Sequence, residues 1–255
     1  MLTKCTQEDA LNATDQTKYR SGVGKLLHMM QWSRPDCYNC IRDLSRHMSM
    51  AAEKHMQAMT RCMKSMVDRP NRGLTLKPDA DWDGNPESEF TIGGRSDSDY
   101  AKCPDTRRSV SGGRVLLNGA PVMFKSATQK HVSLSVTESE LYAGVTCAQD
   151  MLYVKNVMES IGLKVKLPMV LEIDNKGTVD LANSWSIGGR TRHIDVRQVF
   201  LRELKEAGVI KVIWVAGCDN DADIFTKNLD GPLFERFAKV FLGVDEYTPK
   251  SLIPE

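Results

Sequence analysis

The chain has 255 residues, of which 41% are hydrophobic and 26% charged, and its formal net charge is +1. This balance is ordinary for a folded protein with a hydrophobic core, and the net charge alone argues neither for nor against nucleic acid as a partner. A membrane span is excluded, since no stretch approaches the roughly 18 consecutive apolar residues required, and the start Met1–Lys4 is unlike a secretory leader. We therefore expect an intracellular protein made of one full domain and a smaller one.

The first 75 residues are predicted to be helical. Apolar residues recur at helical spacing at Val23, Leu26, Leu27 and Met30 and again at Met56, Met59 and Met63. Pro35 ends the first run, because proline disrupts a helix. The methionine stripe is typical of adaptable core packing. We expect this segment to carry no chemistry of its own.

Seven cysteines are scattered through the sequence, a usage typical of reduced thiols in an intracellular protein. Cys37 and Cys40 form a C-x-x-C pair, a spacing also found in zinc and redox sites. No second pair or Cys/His set follows at usable spacing, and two cysteines make half of a tetrahedral site. We therefore expect reduced thiols on a helix and no metal there.

A change in composition between Asp68 and Ser88 marks a boundary, because turn-forming residues replace the apolar pattern. Strands are predicted over residues 90–97, 113–118 and 122–125, the last two joined by a turn at Asn118-Gly119. Further strands are predicted over 170–174 and 209–215, and helices over 137–161, 178–182 and 194–207, with another opening near 219–223.

This element order predicts an α/β fold, with a mixed five-stranded sheet flanked by helices and preceded by a small helical segment. The predicted organisation is the helical segment over 1–75, a linker over 76–87, the α/β domain over 88–243 and a loosely held tail over 244–255.

Four acidic residues fall near the ends of predicted elements in this domain: Asp97, Glu140, Asp174 and Asp223. Carboxylates that arrive from separate elements at one edge of a sheet are the ligands that a hard ion such as Mg²⁺ prefers. Two such ions held together activate a water molecule and stabilise a leaving oxygen. The order strand-acid, helix-acid, strand-acid, helix-acid therefore favours a metal-dependent site.

Each acid also has a structural explanation when it is taken singly. Asp97 and Asp99 share a face of the strand, so their spacing does not choose between them, and both are also typical of solvated loops. Glu140 completes a capping box with Thr137 and, as a first-turn acid, also suits the helix dipole, although Glu138 could take the dipole role instead. Asp174 is placed like a helix N-cap.

Asp223 lies in an aspartate-rich stretch that imitates a calcium-binding loop. We reject that loop because Ile224 stands where a glycine is required and because Asp230, not a glutamate, would close it. Helix capping by Asp219 or Asp221 leaves Asp223 free for another role.

Motifs that resemble those of copia-type retrotransposon polyproteins run in order from Ser96 to Lys227. They are S-D-S-D-Y-A at 96–101, D-T-R-R-S-V-S-G at 105–112, F-K-S at 124–126, S-L-S-V-T-E-S-E at 133–140, R-H-I-D-V-R at 192–197 and A-D-I-F-T-K at 222–227. Upstream, Y-R-S-G-V-G at 19–24, S-R-P-D at 33–36 and H-M-Q-A at 55–58 resemble the segment that follows the polymerase active site in that family.

This resemblance implies a ribonuclease H-like domain whose catalytic, metal-binding acids are Asp97, Glu140, Asp174 and Asp223, with Mg²⁺ as the cofactor and Mn²⁺ as a substitute. Glu140 is preferred to Glu138 because E-L-Y-A at 140–143 matches the E-L-x-A pattern of ribonucleases H. Residues 1–75 would be a remnant of the reverse-transcriptase thumb or connection. The polymerase's paired catalytic aspartates are absent, so we expect no DNA synthesis.

The resemblance also implies endonucleolytic cleavage of the RNA strand of RNA–DNA hybrids by two metal ions. The polymerase portion of the same polyprotein would be a partner, in a cytoplasmic virus-like particle or the nucleus. By charge and position, Arg107, Arg108, Lys125 and Lys130 are predicted phosphate contacts. No histidine shortly precedes the last acid, and His193 is predicted to anchor its helix. The alternative is a domesticated module that binds or scaffolds nucleic acid without cutting it.

Overall fold

A computed structural model of the chain describes residues 2–78, 84–85, 87–184 and 192–242, and the side chains of all of these except 192–195. The chain divides into two compact units, one of Leu76–Val240 and one of Leu2–Thr75 with Phe241 and Leu242. The predicted tail and residues 79–83 and 86 of the predicted linker lie outside the described residues, and the predicted domain limits stay predictions. Within the described ranges, no helix has the length and apolar character needed to cross a bilayer.

The smaller unit is helical, as its apolar periodicity predicts. It contains α1 (Ala13–Trp32), a 3-10 helix (Pro35–Cys37), α2 (Tyr38–Ser45) and α3 (Glu53–Val67). The side chain of Asn12 begins α1 by accepting a hydrogen bond from the N–H of Asp15 at 2.9 Å. The core includes Tyr19, Val23, Leu26, Ile41, Leu44 and Met59. The predicted inward packing of the methionine stripe is confirmed, since Met56 and Met63 lie partly buried against this core.

The larger unit is built on one sheet with strands β1 (Ile92–Asp99), β2 (Val110–Leu117), β3 (Ala120–Thr128), β4 (Met169–Ile173) and β5 (Ile210–Trp214). Their order is β3-β2-β1-β4-β5. The β1–β2 and β2–β3 pairs are antiparallel, and the β1–β4 and β4–β5 pairs are parallel. The predicted turn joins β2 to β3, where Asn118 and Gly119 have φ of 46° and 77°, the left-handed backbone of a tight hairpin. The predicted mixed five-stranded sheet is confirmed.

Helices α4 (Val136–Ser160), α5 (Lys176–Asn183) and α6 (Arg192–Glu206) flank this sheet, and α7 (Gly231–Ala238) packs against the 3-10 helix Asp221–Phe225. The long helix α4 packs across β1, β2 and β4, and Leu141, Met151, Leu171 and Ile173 are fully buried there. The helix α7 was not predicted, although Asp230 caps it and a proline follows in its first turn.

The helix predicted to open near residues 219–223 is wrong. Two short 3-10 helices, Gly217–Asp219 and Asp221–Phe225, take its place. Asn220 separates them because its backbone is extended, and its side chain accepts a hydrogen bond from the N–H of Ala222 at 3.2 Å. The predicted capping by Asp219 or Asp221 is therefore wrong as well, since Asn220 is the capping residue.

Candidate metal centre

Asp97 and Asp174 lie at the carboxyl ends of neighbouring parallel strands. Ser96 of β1 is paired with Ile173 of β4. The next residue on each strand therefore reaches the same edge of the sheet, and these residues are Asp97 and Asp174.

Asp223 reaches this edge on the 3-10 helix Asp221–Phe225, which packs against β1 and β2. The close approach depends on Gly112, which is paired with Asp97. A Cβ atom at Gly112 would lie 2.6 Å from Cγ2 of Thr226 and 2.8 Å from Cβ of Phe225. As a result, one carboxylate oxygen from each of Asp97, Asp174 and Asp223 lies within 4.8 Å of the others.

Glu140 is brought to the same edge by the first turns of α4. Ser135 caps this helix by accepting from the N–H of Glu138 at 3.1 Å, and Glu138 accepts from the N–H of Leu134 at 2.7 Å. The capping box predicted at Thr137 and Glu140 is therefore wrong, because the N-cap is Ser135, two residues earlier. Oε1 of Glu140 accepts from the N–H of Ser98 at 3.2 Å. Its Oε2 is buried and has no hydrogen-bond partner among the residues that the structure describes.

The geometry also separates Asp97 from Asp99. Asp97 is 1% exposed and accepts a hydrogen bond from the hydroxyl of Thr226, whereas Asp99 pairs with Lys102 at 3.4 Å. Asp174 does not cap α5, because Asn175 does so by accepting from the N–H of Thr178 at 2.9 Å. Asp97 and Asp174 are thus free of the structural roles that the sequence left open for them.

Burial and like charge act together on three of the four acids. Desolvation first, and the Asp97 carboxylate second, raise the pKa of Asp223 from 3.8 to about 7. The same two causes raise the pKa of Asp174. Burial, followed by Asp97 and Asp174, raises the pKa of Glu140 well above its usual value. Carboxylates crowded in this way destabilise the charged site unless a cation offsets them.

Lys227 supplies such a cation. Its Nζ lies 3.1 Å from Oδ1 of Asp97 and 2.9 Å from Oδ1 of Asp223. Burial lowers the pKa of Lys227, but the carboxylates of Asp97 and Asp223 outweigh burial and raise it overall. Sequence reasoning missed Lys227 and Thr226 as site residues. The available signal was the lysine four residues after Asp223 in a segment predicted to be helical, because that spacing puts two side chains side by side on an α-helix.

A buried ion pair holds the segment that carries Asp223 against the sheet. Nε and Nη2 of Arg114 on β2 donate to the two carboxylate oxygens of Asp221 at 3.0 Å each. Arg95 on β1 lies 3.2 Å from Asp221 and donates to Glu172 at 2.7 Å. Asp221 therefore anchors this segment to the sheet.

The predicted phosphate contacts differ in their surroundings. Arg107, Arg108 and Lys130 are exposed, whereas Lys125 is half-buried and lies 3.2 Å from Asp150 on α4. The side chain of His193 lies outside the described residues. The assignment of these basic residues to phosphate contacts stays a prediction.

The donor set fits a hard divalent ion such as Mg²⁺ or Mn²⁺. All four side chains offer carboxylate oxygens, and one buried oxygen of Glu140 lacks a partner among the residues described. An internal ammonium already lies between two of the acids. Oxygen ligands and excess negative charge are what such ions prefer.

The chain has similar sequences among known proteins. It is 31% identical over 236 residues, 92% of its length, to the "Retrovirus-related Pol polyprotein from transposon RE1" of Arabidopsis thaliana, and it spans 15% of that protein. The chain thus covers less than a sixth of this curated relative's length. Over 141 residues, 53% of this chain, it is 31% identical to "Secreted RxLR effector protein 161" of Plasmopara viticola and spans 89% of that protein.

No protein-family model matches the chain. Among solved structures, it is similar to the N-terminal ribonuclease H domain of rv2228c from Mycobacterium tuberculosis, solved as a fusion with maltose binding protein. The similarity covers 59% of this chain and 98% of that chain, at 12% identity and a TM-score of 0.41.

Proposed function

The chain belongs to the family of copia-type, retrovirus-related Pol polyproteins, and we propose that its sheet-based unit is a ribonuclease H domain. The proposed activity is endonucleolytic hydrolysis of the RNA strand of RNA–DNA hybrids. The observation that carries the proposal is the convergence of Asp97, Asp174 and Asp223 beside a buried carboxylate oxygen of Glu140 that has no partner within the described part of the chain.

In this proposal Asp97, Glu140, Asp174 and Asp223 hold Mg²⁺, or Mn²⁺ in its place. Two divalent ions, when bound, lower the pKa of the attacking water and stabilise the leaving oxygen. The neighbours of the acids orient them. The Thr226 hydroxyl donates to Oδ2 of Asp97, and the N–H of Ser98 fixes Oε1 of Glu140 so that Oε2 remains available as a ligand.

Lys227 is proposed to hold the site together in the metal-free protein. Its ammonium offsets the charge of Asp97 and Asp223, the same two carboxylates that would face a divalent ion. Metal binding would therefore displace Lys227 from at least one of them, because the ammonium and the ion compete for the same oxygens.

The substrate is proposed from charge and chemistry. Arg107, Arg108 and Lys130 are exposed and would contact the phosphates of a hybrid duplex, with a smaller contribution from Lys125 because Asp150 offsets its charge. Recognition would depend on duplex shape and ribose 2′-hydroxyls. The helical unit is proposed to be a thumb or connection remnant, and the polymerase portion of the polyprotein to be its partner in a virus-like particle or the nucleus.

A labelled RNA–DNA hybrid incubated with the full chain and Mg²⁺ or Mn²⁺ tests the activity. We expect Asp97→Asn to lower the cleavage rate at least about a hundredfold, because the loss of a ligand exceeds the loss of an outer-sphere partner. Asp99→Asn is the matched control on the same strand, and it should stay near the wild-type rate. Glu140→Gln and Glu138→Gln form a second matched pair with the same expectation.

Two results would overturn the proposal. Cleavage that survives Asp97→Asn and Glu140→Gln would place the chemistry elsewhere. A wild-type chain that binds the hybrid without cutting it, with either metal ion, would instead favour the domesticated, non-cleaving module.

A further inference from the structure

Three cysteines converge in the helical unit, far along the sequence from the acidic site. Cys37 lies at the end of the 3-10 helix, Cys40 on α2 and Cys62 on α3. Their Sγ atoms all lie within 4.8 Å of one another, and those of Cys40 and Cys62 are 3.4 Å apart. We call Cys37, Cys40 and Cys62 the three-cysteine cluster. The C-x-x-C pair alone supplies two ligands, and the packing of α2 against α3 adds the third.

The sulfur positions match the geometry of a tetrahedral thiolate site. Sulfur atoms about 2.3 Å from a central zinc ion lie roughly 3.8 Å from each other, so the cluster needs only small side-chain movements to close around an ion. Thiolates select Zn²⁺ or Cu⁺ over hard ions such as Mg²⁺. We propose that the three-cysteine cluster binds one Zn²⁺ ion through three thiolates, with a water molecule at the fourth position.

The surroundings suit the charge of such a site. Three thiolates around Zn²⁺ carry a net charge of −1, which needs a nearby positive group when it is buried. The Arg34 guanidinium is 3% exposed and interacts electrostatically with the sulfurs of Cys37 and Cys62. Asp36 holds this guanidinium through two hydrogen bonds of 3.0 and 2.8 Å. Asp36 also offsets the charge of Arg34, and the buried Arg72 interacts in turn with Asp36. These three groups together therefore carry a net charge of +1 beside the cluster.

A disulfide is the competing use of these thiols. A bond between Cys40 and Cys62 would leave Cys37 without a role in the cluster, whereas a metal ion uses all three sulfurs. Disulfide formation also needs an oxidant. The convergence of three thiols therefore favours the ion.

Cobalt substitution and metal analysis of the full chain, purified under reducing conditions, test the proposal. We expect one zinc per chain, and one equivalent of Co²⁺ should give the sulfur-to-cobalt charge-transfer band that carboxylate ligands do not produce. Cys62→Ser should abolish this band. Cys218→Ser, at an exposed cysteine outside the cluster, should keep it, as should Asp97→Asn at the acidic site.

Zinc binding should also raise the melting temperature of the wild type by about 5 °C at a hundredfold excess over Kd, and this gain should disappear in Cys62→Ser. A wild-type chain that binds no zinc and gives no cobalt–sulfur band would overturn the proposal. The same holds if mass spectrometry under these conditions finds a Cys40–Cys62 disulfide in place of the metal. An equal cobalt–sulfur band in the wild type and Cys62→Ser would also exclude the cluster as the site.

Discussion

Asp223→Asn should stabilise the metal-free chain at alkaline pH and remove its response to Mn²⁺. In the folded chain, burial and then Asp97 raise the pKa of Asp223 from 3.8 to about 7. A difference of about 3 pKa units corresponds to about 4 kcal/mol. Because Asp223 keeps some contact with solvent, screening lowers the expected gain in the free energy of unfolding to about 2 kcal/mol.

The sign follows from proton binding. The folded chain binds the Asp223 proton more tightly than the unfolded chain does, so the stability of the wild type falls as the pH rises from about 4 to about 7. Asparagine carries no charge at either pH. The gain of the variant should therefore be absent near pH 4 and complete at about pH 8.

Urea unfolding with a chelator at about pH 4 and about pH 8 measures the gain in the free energy of unfolding. The same measurement with Mn²⁺ gives the metal response. Asp180→Asn, at an exposed position on α5, is the control and should change neither quantity. A metal-free Asp223→Asn chain that is less stable than the wild type at about pH 8 would refute the reasoning. A gain of equal size at both pH values would refute it too, since the cause would not be the carboxylate charge.

Four other substitutions address the neighbours of the site. Lys227→Met should lower metal-free stability by about 1 kcal/mol and tighten Mn²⁺ binding severalfold in calorimetric titration, and an unchanged affinity would argue against competition. Arg114→Leu should cost about 3 kcal/mol in urea unfolding, because it deprives the buried Asp221 of its two-pronged partner. A loss of stability below about 1 kcal/mol would show that Arg95 alone is enough to neutralise Asp221. Ser135→Ala should lower the free energy of unfolding by about 1 kcal/mol, and Thr137→Ala should lower it by less than half of that. The reverse order would show that Thr137 caps α4.

The sheet could be predicted from the sequence because its signals are local. The turn at Asn118-Gly119 needs two residues that tolerate positive φ, and both adopt it. From residue spacing alone the site could be predicted only as a set of alternatives, and the resemblance to copia-type polyproteins supplied the choice among them. Asp97 and Asp99 lie on one face of β1. Asp99 pairs with its close sequence neighbour Lys102, and Asp97 is selected by the approach of Thr226, which comes from a distant part of the chain.

The cap of α4 shows why local patterns were insufficient. The segment S-V-T-E-S-E contains two overlapping capping boxes, Ser135 with Glu138 and Thr137 with Glu140. The sequence satisfies both equally well. The N–H of Ser98, which reaches Glu140 from β1, is consistent with the earlier box, because that box leaves the Glu140 carboxylate free for a tertiary contact. Cys62 was missed for a similar reason, since its distance of 22 residues from Cys40 is closed only by the packing of the helices.

The carboxylates of the four acids act on one another electrostatically. Each comes from a different element, so they form a site only when the chain is folded, and the pKa values of Glu140, Asp174 and Asp223 are raised there. Near neutral pH the metal-free site therefore retains protons that isolated carboxylates would release. A divalent ion needs those carboxylates deprotonated, so its binding must release protons and strengthen as the pH rises. Under the proposed function, the ion would bind only the folded chain, and it would stabilise the fold by a free energy that grows with the logarithm of the ratio of its concentration to its Kd. Proton release, displacement of Lys227 and gain in stability would thus be three measures of the same proposed binding event.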